Sequence, residues 1–428
     1  MLKKMQSQLM SLFRNGFFHI FGSSVIAQIG GLISSALVIR FLPKENYGSY
    51  VEANNLYSYF AIFIGMGLTN AVMQFCNERI PDEEKNSIYS YSLIKGTLFN
   101  FLLFFSIWWF ALIQQYFGNT EIVPYLKAMA GIPIVTYFNS YPQIVLRVKR
   151  KNQIYSYVNI VYTILTVIGN VVFVRIWNIY GLILATYVAN GISSVLAFYY
   201  LSKNSFLCMV NRHSCNVLNT TRKREILRYS VLCSVVNFTS TLLVLLDVTC
   251  LGSVLSDSTV LADYKVASTI PAACVFIPSC LITYFYPFMV EAYSTGVEAY
   301  KAYLQKLFKL FFAANFFVSI CLIVFAPLIL FLIYGEKYVN TAYLFRCLSV
   351  NYFIYSTFRQ LFGNAMVVIK KVNVNLIHTI IAGILNVILN LSLIQQYGSI
   401  GAAIATVLVT TITSLMQVWY LYNFFKKS

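Results

Sequence analysis

Twelve apolar runs, each of roughly 20 residues or more, follow one another along this chain, and that pattern restricts its fold more than any other feature. They lie near 17–41, 48–72, 87–115, 122–146, 153–176, 179–201, 227–252, 262–289, 304–334, 342–367, 374–396 and 400–424. A run of that length crosses the hydrocarbon core of a bilayer, about 30 Å thick, as a single helix. The rest of the composition agrees. Hydrophobic residues make up 59% of the 428 positions and charged residues only 11%, against roughly 25% charged in soluble domains. The expected fold class is an all-α, polytopic membrane protein with 12 transmembrane helices. Lys3, Lys4 and Arg14 precede the first run as they would in a signal peptide, but the run is too long for a cleaved apolar segment and is expected to remain.

The formal charge of +17 acquires meaning from its placement. Lys and Arg are retained on the cytoplasmic side of a membrane, and here they gather on alternate connections. Arg147, Lys149, Arg150 and Lys151 follow the fourth run, and Lys203, Arg212, Arg222, Lys223, Arg224 and Arg228 surround the long connection after the sixth. The opposite connections hold only Lys44 and Lys337. Both termini are therefore expected in the cytoplasm, which requires an even number of crossings. Basic charge scattered over short loops between apolar runs is not a nucleic-acid footprint, and no nucleic-acid partner is expected.

Several chemistries leave no trace. The nine cysteines lie mostly within apolar runs, where thiols act as small hydrophobes, and none forms a CxxC pair. Cys208, His213 and Cys215 have no recognised zinc spacing. A GxxxxGK[ST] phosphate loop is absent. The 32 Tyr, 35 Phe and 4 Trp suit interfacial anchoring and lipid-facing packing, and none is singled out as a sugar ligand.

An internal repeat organises the chain. Residues 160–201 align without gaps on 380–421, an offset of 220, with 13 of 42 positions identical. Asn170 falls on Asn390, Gly181 on Gly401, and Ala185-Thr186 on Ala405-Thr406. The chain is accordingly read as two six-helix lobes, 1–202 and 225–428, joined by a basic cytoplasmic linker at 203–224. An even number of helices per lobe makes the repeats parallel, and such repeats place substrate sites at their interface.

Three stretches carry a family resemblance: "RFLPKENYGSYVEANNL" (40–56), "LIYGEKYVNTAYLFRCLS" (332–349) and "NVILNLSLIQQYGSIGAAIAT" (386–406). In their order and spacing they resemble the polysaccharide transporter branch, including O-antigen flippases, of the multidrug/oligosaccharidyl-lipid/polysaccharide exporter superfamily. The chain departs from that pattern at Phe41-Leu42-Pro43, where the family usually has Leu-Gly-Pro. The resemblance implies a MATE-like fold in the bacterial cytoplasmic (inner) membrane. It implies a flippase that carries an undecaprenyl-diphosphate-linked glycan to the outer leaflet by alternating access, with polysaccharide polymerase machinery as a partner and the bilayer as its surroundings. A multidrug exporter of the same superfamily and a membrane-bound O-antigen polymerase or ligase are the competing readings. External connections are short and lack paired carboxylates, which weighs against an enzyme; arginines within spans weigh against an exporter of cationic drugs.

Such a cargo requires a cationic cavity. Arg40, Lys95, Lys127, Arg175, Lys265, Lys309, Arg346 and Arg359 lie within or at the ends of runs. Snorkelling accounts for Lys127, Arg175 and Lys309. Arg359 sits near the middle of the tenth run, where an Arg costs roughly 2.5–3.5 kcal/mol on insertion scales and needs a wet cavity, an anion or an ion pair. Arg359, Arg346, Arg40, Lys265 and Lys95 form the expected cargo-binding set, since guanidinium suits phosphate oxygens. Asp247 is the one acid well inside a run. Asn386 and Asn390, at i and i+4, share one helix face, and with Asp247 and Thr406 they offer oxygen ligands for a coupling cation. Related lipid-linked precursor flippases place an ion site on the seventh, eleventh and twelfth helices, so the resemblance supports that grouping. The alternative is interhelical hydrogen bonding, worth about 0.6–2 kcal/mol per contact. No cofactor is expected beyond Na+ or H+ as coupling ion.

Overall fold

The computed structural model describes residues 17–77, 80–117, 119–203, 218–255 and 257–427. Among them there are helices and connections but no strand. The helices used below are α1 (Phe17–Phe41), α2 (Lys44–Ala61), α3 (Leu68–Phe75), α4 (Asp82–Phe117), α5 (Val123–Met129), α6 (Ile132–Val148), α7 (Asn152–Ser202), α8 (Thr220–Leu255) and α9 (Ser258–Cys274). They continue as α10 (Phe276–Thr295), α11 (Val297–Val324), α12 (Ala326–Tyr334), α13 (Ala342–Ile354), α14 (Gln360–Val368), α15 (Val372–Tyr397) and α16 (Ser399–Lys427). Eight helical stretches among the described residues are long and apolar enough to cross a membrane. Their outward faces carry large apolar residues such as Trp109, Phe317 and Trp419, more than 65% exposed, as expected where the solvent is lipid.

Local chemistry sets the ends. Asp82, Glu83 and Glu84 occupy the first turn of α4, where carboxylates offset the positive end of the helix dipole. Asp257 caps α9 by accepting from the Thr259 N–H at 2.8 Å. The run expected as one span over 122–146 is divided at Ala130–Gly131, where Pro133 begins α6. The run at 304–334 breaks at Phe325, ahead of Pro327 at the start of α12. Proline lacks the N–H that would continue the preceding helix, and it suits a first turn. Within the stretch 44–75 the helix comes apart at Gly65, Met66 and Gly67, all with positive φ (64°, 49° and 70°). Asn100 bridges this break, accepting from the Gly65 N–H at 3.1 Å and donating to the Gly96 carbonyl at 2.8 Å. Such a break is tolerated at membrane depth only where protein covers it.

The chain forms two compact units. One comprises the stretch up to Leu42 together with Leu56–Phe238; the other comprises Pro43–Asn55 together with Thr239–Ser428. In the first unit α1 and α6 pack along α7, and the Tyr137 and Tyr141 hydroxyls donate to the Ser92 and Tyr89 carbonyls, both at 2.7 Å. In the second, α15 and α16 form an antiparallel pair, and α13 packs against α16 and α9. The opening of α2 belongs to this unit: Lys44 pairs with Asp263 at 2.7 Å, and Asn55 donates to Thr249 Oγ1 at 2.8 Å. Glycine at position 48 permits this approach, since a Cβ there would overlap the Ser258 carbonyl.

The repeat read from the sequence recurs in the backbone. α7 reverses at Asn178 (φ 50°, ψ −127°), and the α15–α16 pair reverses at Gly398 (φ 60°, ψ −138°), the residue 220 positions later. A Cβ on Gly181 would overlap the Phe173 carbonyl, and one on Gly401 the Leu393 carbonyl. These positions too are offset by 220. Both hairpins therefore close through the same glycine-dependent contact. The expected linker at 203–224 lies largely outside the described residues, as do Cys208, His213 and Cys215; α8 begins at Thr220.

Candidate functional site

In the second unit, four helices converge on one carboxylate. Asp247, on α8, is 6% exposed. Its Oδ1 accepts from Asn386 Nδ2 at 3.0 Å and Asn390 Nδ2 at 2.9 Å, both on α15. Its Oδ2 accepts from Thr406 Oγ1 on α16 at 2.7 Å and from the Tyr264 hydroxyl on α9 at 3.0 Å. Asn390 Nδ2 also reaches Asn386 Oδ1 at 3.0 Å, so the asparagines one turn apart form a bonded pair. The four residues grouped from the sequence are thus brought together. Tyr264 joins them with no sequence signal, because its partner stands 17 positions away on another helix.

Among the described residues every partner of Asp247 is a neutral donor, and no Lys or Arg forms an ion pair with it. A carboxylate so placed gains from a bound cation or a proton. The donor set fits a hard cation: turning either amide by half a rotation presents its carbonyl oxygen, and side-chain amide orientations follow the hydrogen-bond network. Asn390 Oδ1 is buried and has no hydrogen-bond partner. Among the described residues no group of three or more His, Cys, Asp and Glu side chains is arranged for a metal; the carboxylate, amide and hydroxyl oxygens around Asp247 suit a light, oxygen-preferring ion. In the first unit Asn170, the counterpart of Asn390, donates instead to Ser34 Oγ at 2.7 Å. The two halves share the amide but only one has the acid.

The basic residues are distributed differently. Arg359 is half-buried at the end of a π-helical turn, Tyr355–Arg359, with its guanidinium 5.9 Å from the centre of the Tyr355 ring. Single π turns inside α-helices occur frequently at functional sites, and nothing in the sequence foretells this one. Lys265 is half-buried beside Tyr264. Arg346 is exposed and donates through Nε to the Ile323 carbonyl at 3.2 Å. Arg40 and Lys95 are exposed in the first unit. Lys95, Lys265, Arg346 and Arg359 form no ion pair with an acid among the described residues. Arg175, assigned to snorkelling, lies 4.3 Å over the Phe41 ring. Outside the spans, Lys337 stacks on Tyr338 at 5.3 Å, and burial lowers its ammonium below the usual lysine range.

A family model described as "polysaccharide biosynthesis protein" matches residues 13–293. The chain belongs to that family. The match covers more than half of the sequence and includes Asp247 and Tyr264, while Asn386, Asn390 and Thr406 lie beyond it. No curated protein matches the chain. Among solved structures, an inward-facing multidrug resistance MATE family transporter of the MOP superfamily shares the fold with a TM-score of 0.82 at 14% identity, over 94% of this chain and 96% of that one. The lipid II flippase MurJ in an inward closed conformation is similar at a TM-score of 0.72 and 17% identity, over 94% and 87%. A MOP superfamily transporter from Pyrococcus furiosus gives 0.62 at 14%, over 97% and 95%. At 14–17% identity these solved structures show the fold that the chain shares with them.

Proposed function

We propose that this protein is a flippase that moves a polyprenyl-diphosphate-linked oligosaccharide from the cytoplasmic to the outer leaflet by alternating access. The undecaprenyl carrier with an O-antigen or capsule repeat unit is the cargo that fits the family, and the bacterial inner membrane is its location. In this reading twelve spans form two six-helix lobes, 1–202 and 225–428, with both termini in the cytoplasm and 203–224 between them. Cation binding or protonation at Asp247 drives the cycle, because neutralising a buried charge changes which helix arrangement the bilayer tolerates. Arg359, Lys265, Arg346, Arg40 and Lys95 meet the diphosphate.

The observation that carries this reading is the buried Asp247 carboxylate, bonded only to neutral donors, in a member of a polysaccharide biosynthesis family. A static scaffold has no use for a buried acid bonded to neutral donors and paired with no cation, because its burial is costly. Deletion of the gene tests the assignment: the lipid-linked glycan is expected to accumulate on the cytoplasmic face, resistant to a membrane-impermeant glycosidase. Unpolymerised units on the outer face would instead identify a polymerase.

A further inference from the structure

The seam between α15 and α16 is polar well beyond Asp247. On α15 the residues Asn375, Thr379, Asn386 and Asn390 recur at intervals of four and seven, and therefore lie on one side of the helix. His378, 7% exposed, flanks them. On α16 the residues Thr406, Thr410, Thr413 and Gln417 do the same, flanked by Ser414. Those five α16 side chains are buried except Thr406, which is half-buried. The helices meet through polar contacts at both ends of this stretch: Thr406, Asn386 and Asn390 on Asp247 at one, and Gln417 Nε2 on Asn375 Oδ1 at 2.9 Å at the other. From Thr406 to Gln417 the helix advances about 16 Å at 1.5 Å per residue, roughly half the hydrocarbon core.

Four buried polar atoms along this seam have no hydrogen-bond partner in the protein: Asn390 Oδ1, His378 Nδ1, Ser414 Oγ and Gln417 Oε1. Such atoms are few in native proteins and usually bind ordered water. Side chains three or four residues apart on a helix stand about 5–6 Å apart, the distance one bridging water spans with two hydrogen bonds. Gly363 on α14 faces this end, with no side chain to fill the space beside Gln417 Nε2 and Asn375.

The first half of the chain provides an internal control. Its matching hairpin has Tyr155 for Asn375, Val158 for His378 and Ala197 for Gln417, so the corresponding end lacks the imidazole and the Gln–Asn pair, while Asn159, which stands for Thr379, donates to the Ser23 carbonyl at 3.4 Å. Its remaining polar groups are mostly bonded within the protein. Asn190 accepts from Asn139 at 3.1 Å, Ser194 donates to the Phe138 carbonyl at 3.1 Å, and Asn170 bonds Ser34; among the described residues of that hairpin, the buried Ser156 Oγ and Ser193 Oγ are without a partner. The repeat that lacks the acid also lacks the imidazole and the Gln–Asn pair, and its asparagines are bonded within the protein.

We propose that the α15–α16 seam is a hydrated proton path running from the Lys370-Lys371 end of α15 to Asp247, with His378 as its titratable relay. The proposal rests on Asp247 as the coupling site and names the ion as a proton. His378 accepts a proton on one ring nitrogen and releases one from the other, and the water-bridged Ser414, Thr413 and Thr410 hydroxyls pass it towards Asp247. The protonated carboxyl then donates to a hydroxyl oxygen of Thr406 or Tyr264, each of which rotates to accept. The surroundings of His378 carry little charge. α16 has no Asp, Glu, Lys, Arg or His before Lys426, and its other titratable groups are Tyr420 and Tyr422; α14 has none; the charges at the near end of α15 are Lys370 and Lys371.

The test uses the full-length protein in nanodiscs of neutral lipid, with protons or sodium as the only probes. Infrared difference spectra on acidification should show a protonated carboxyl band that is absent from Asp247→Asn. After a pH step that band should appear roughly tenfold more slowly in a His378→Val, Gln417→Ala variant carrying the residues of the first repeat, equivalent to about 1.4 kcal/mol of added barrier, with its final amplitude unchanged. Ser414→Ala, the smallest change, is the fallback should that variant not fold, and slowing of severalfold is expected. Unaltered rates in both variants overturn the path. A carboxyl that responds to sodium and not to acid overturns the path while leaving Asp247 as the coupling site, whereas an Asp247 that responds to neither removes the coupling reading as well.

Discussion

Replacing Asp247 separates its two roles, because asparagine and alanine alter its hydrogen bonds in different ways. Asparagine keeps an oxygen for Asn386 and Asn390 and turns its NH2 towards Thr406 and Tyr264, whose hydroxyl oxygens accept it. The network survives and the charge is lost. Alanine removes every acceptor. Of the four donors, Asn390 retains Asn386 Oδ1, Thr406 retains the Ala402 carbonyl at 2.9 Å, and the Tyr264 hydroxyl retains Thr406 Oγ1 at 3.4 Å, which leaves Asn386 Nδ2 stranded. A buried donor without a partner costs about 1–3 kcal/mol, so the alanine variant should lose about 1–3 kcal/mol and the asparagine variant less than that. Ligand linkage adds a second axis: a coupling cation at a hundred times its dissociation constant stabilises the wild type by about 2.7 kcal/mol, and this increment should vanish in Asp247→Asn. Thermal unfolding of purified protein, scanned over sodium concentration and pH, reads both. An asparagine variant that still responds to the ion would refute Asp247 as the coupling group, and an alanine variant as stable as the asparagine one would refute the hydrogen-bond assignment.

Arg359→Ala should abolish glycan translocation in a leaflet-accessibility assay while leaving the melting temperature unchanged or higher, since Arg359 has no acidic partner to strand and its insertion cost is relieved. Asn178→Gly should raise the melting temperature and Gly398→Ala lower it, because both positions hold a backbone conformation that costs a non-glycine residue on the order of 1–3 kcal/mol. Lys44→Asp and Asp263→Lys should each lower the yield of folded protein, and the double exchange should restore it, as measured by monodisperse recovery in detergent. Gly181→Ala and Gly401→Ala should be equally damaging, because each Cβ would overlap the corresponding carbonyl in its hairpin.

Much of the architecture was readable from local pattern. The length of an apolar run reflects bilayer thickness, so helices and their approximate positions follow from composition alone. The offset of 220 residues paired Gly181 with Gly401, the glycines through which the two hairpins close, because a glycine required by backbone contact leaves its mark at a fixed place. Helical periodicity put Asn386 and Asn390 on one face. Within a span, a lone acid among apolar residues marked Asp247 for attention.

Across helices the sequence said little beyond grouping Asp247 with Asn386, Asn390 and Thr406, for a physical reason. Which side chains meet depends on crossing angle, depth and rotation, each set by the packing of many apolar residues that lipid-facing composition makes nearly interchangeable. Only the tertiary structure put Tyr264 on Asp247, bonded Asn170 to Ser34 and turned Arg346 to the Ile323 carbonyl. The π turn before Arg359 and the left-handed break at Gly65–Gly67 belong with these, since both depend on what neighbouring helices supply to backbone groups released from the regular ladder. The sequence determined that this chain must be a repeated bundle of membrane helices bearing one buried acid; the fold decided what surrounds that acid, because helix register is a collective property of packing that no single stretch encodes.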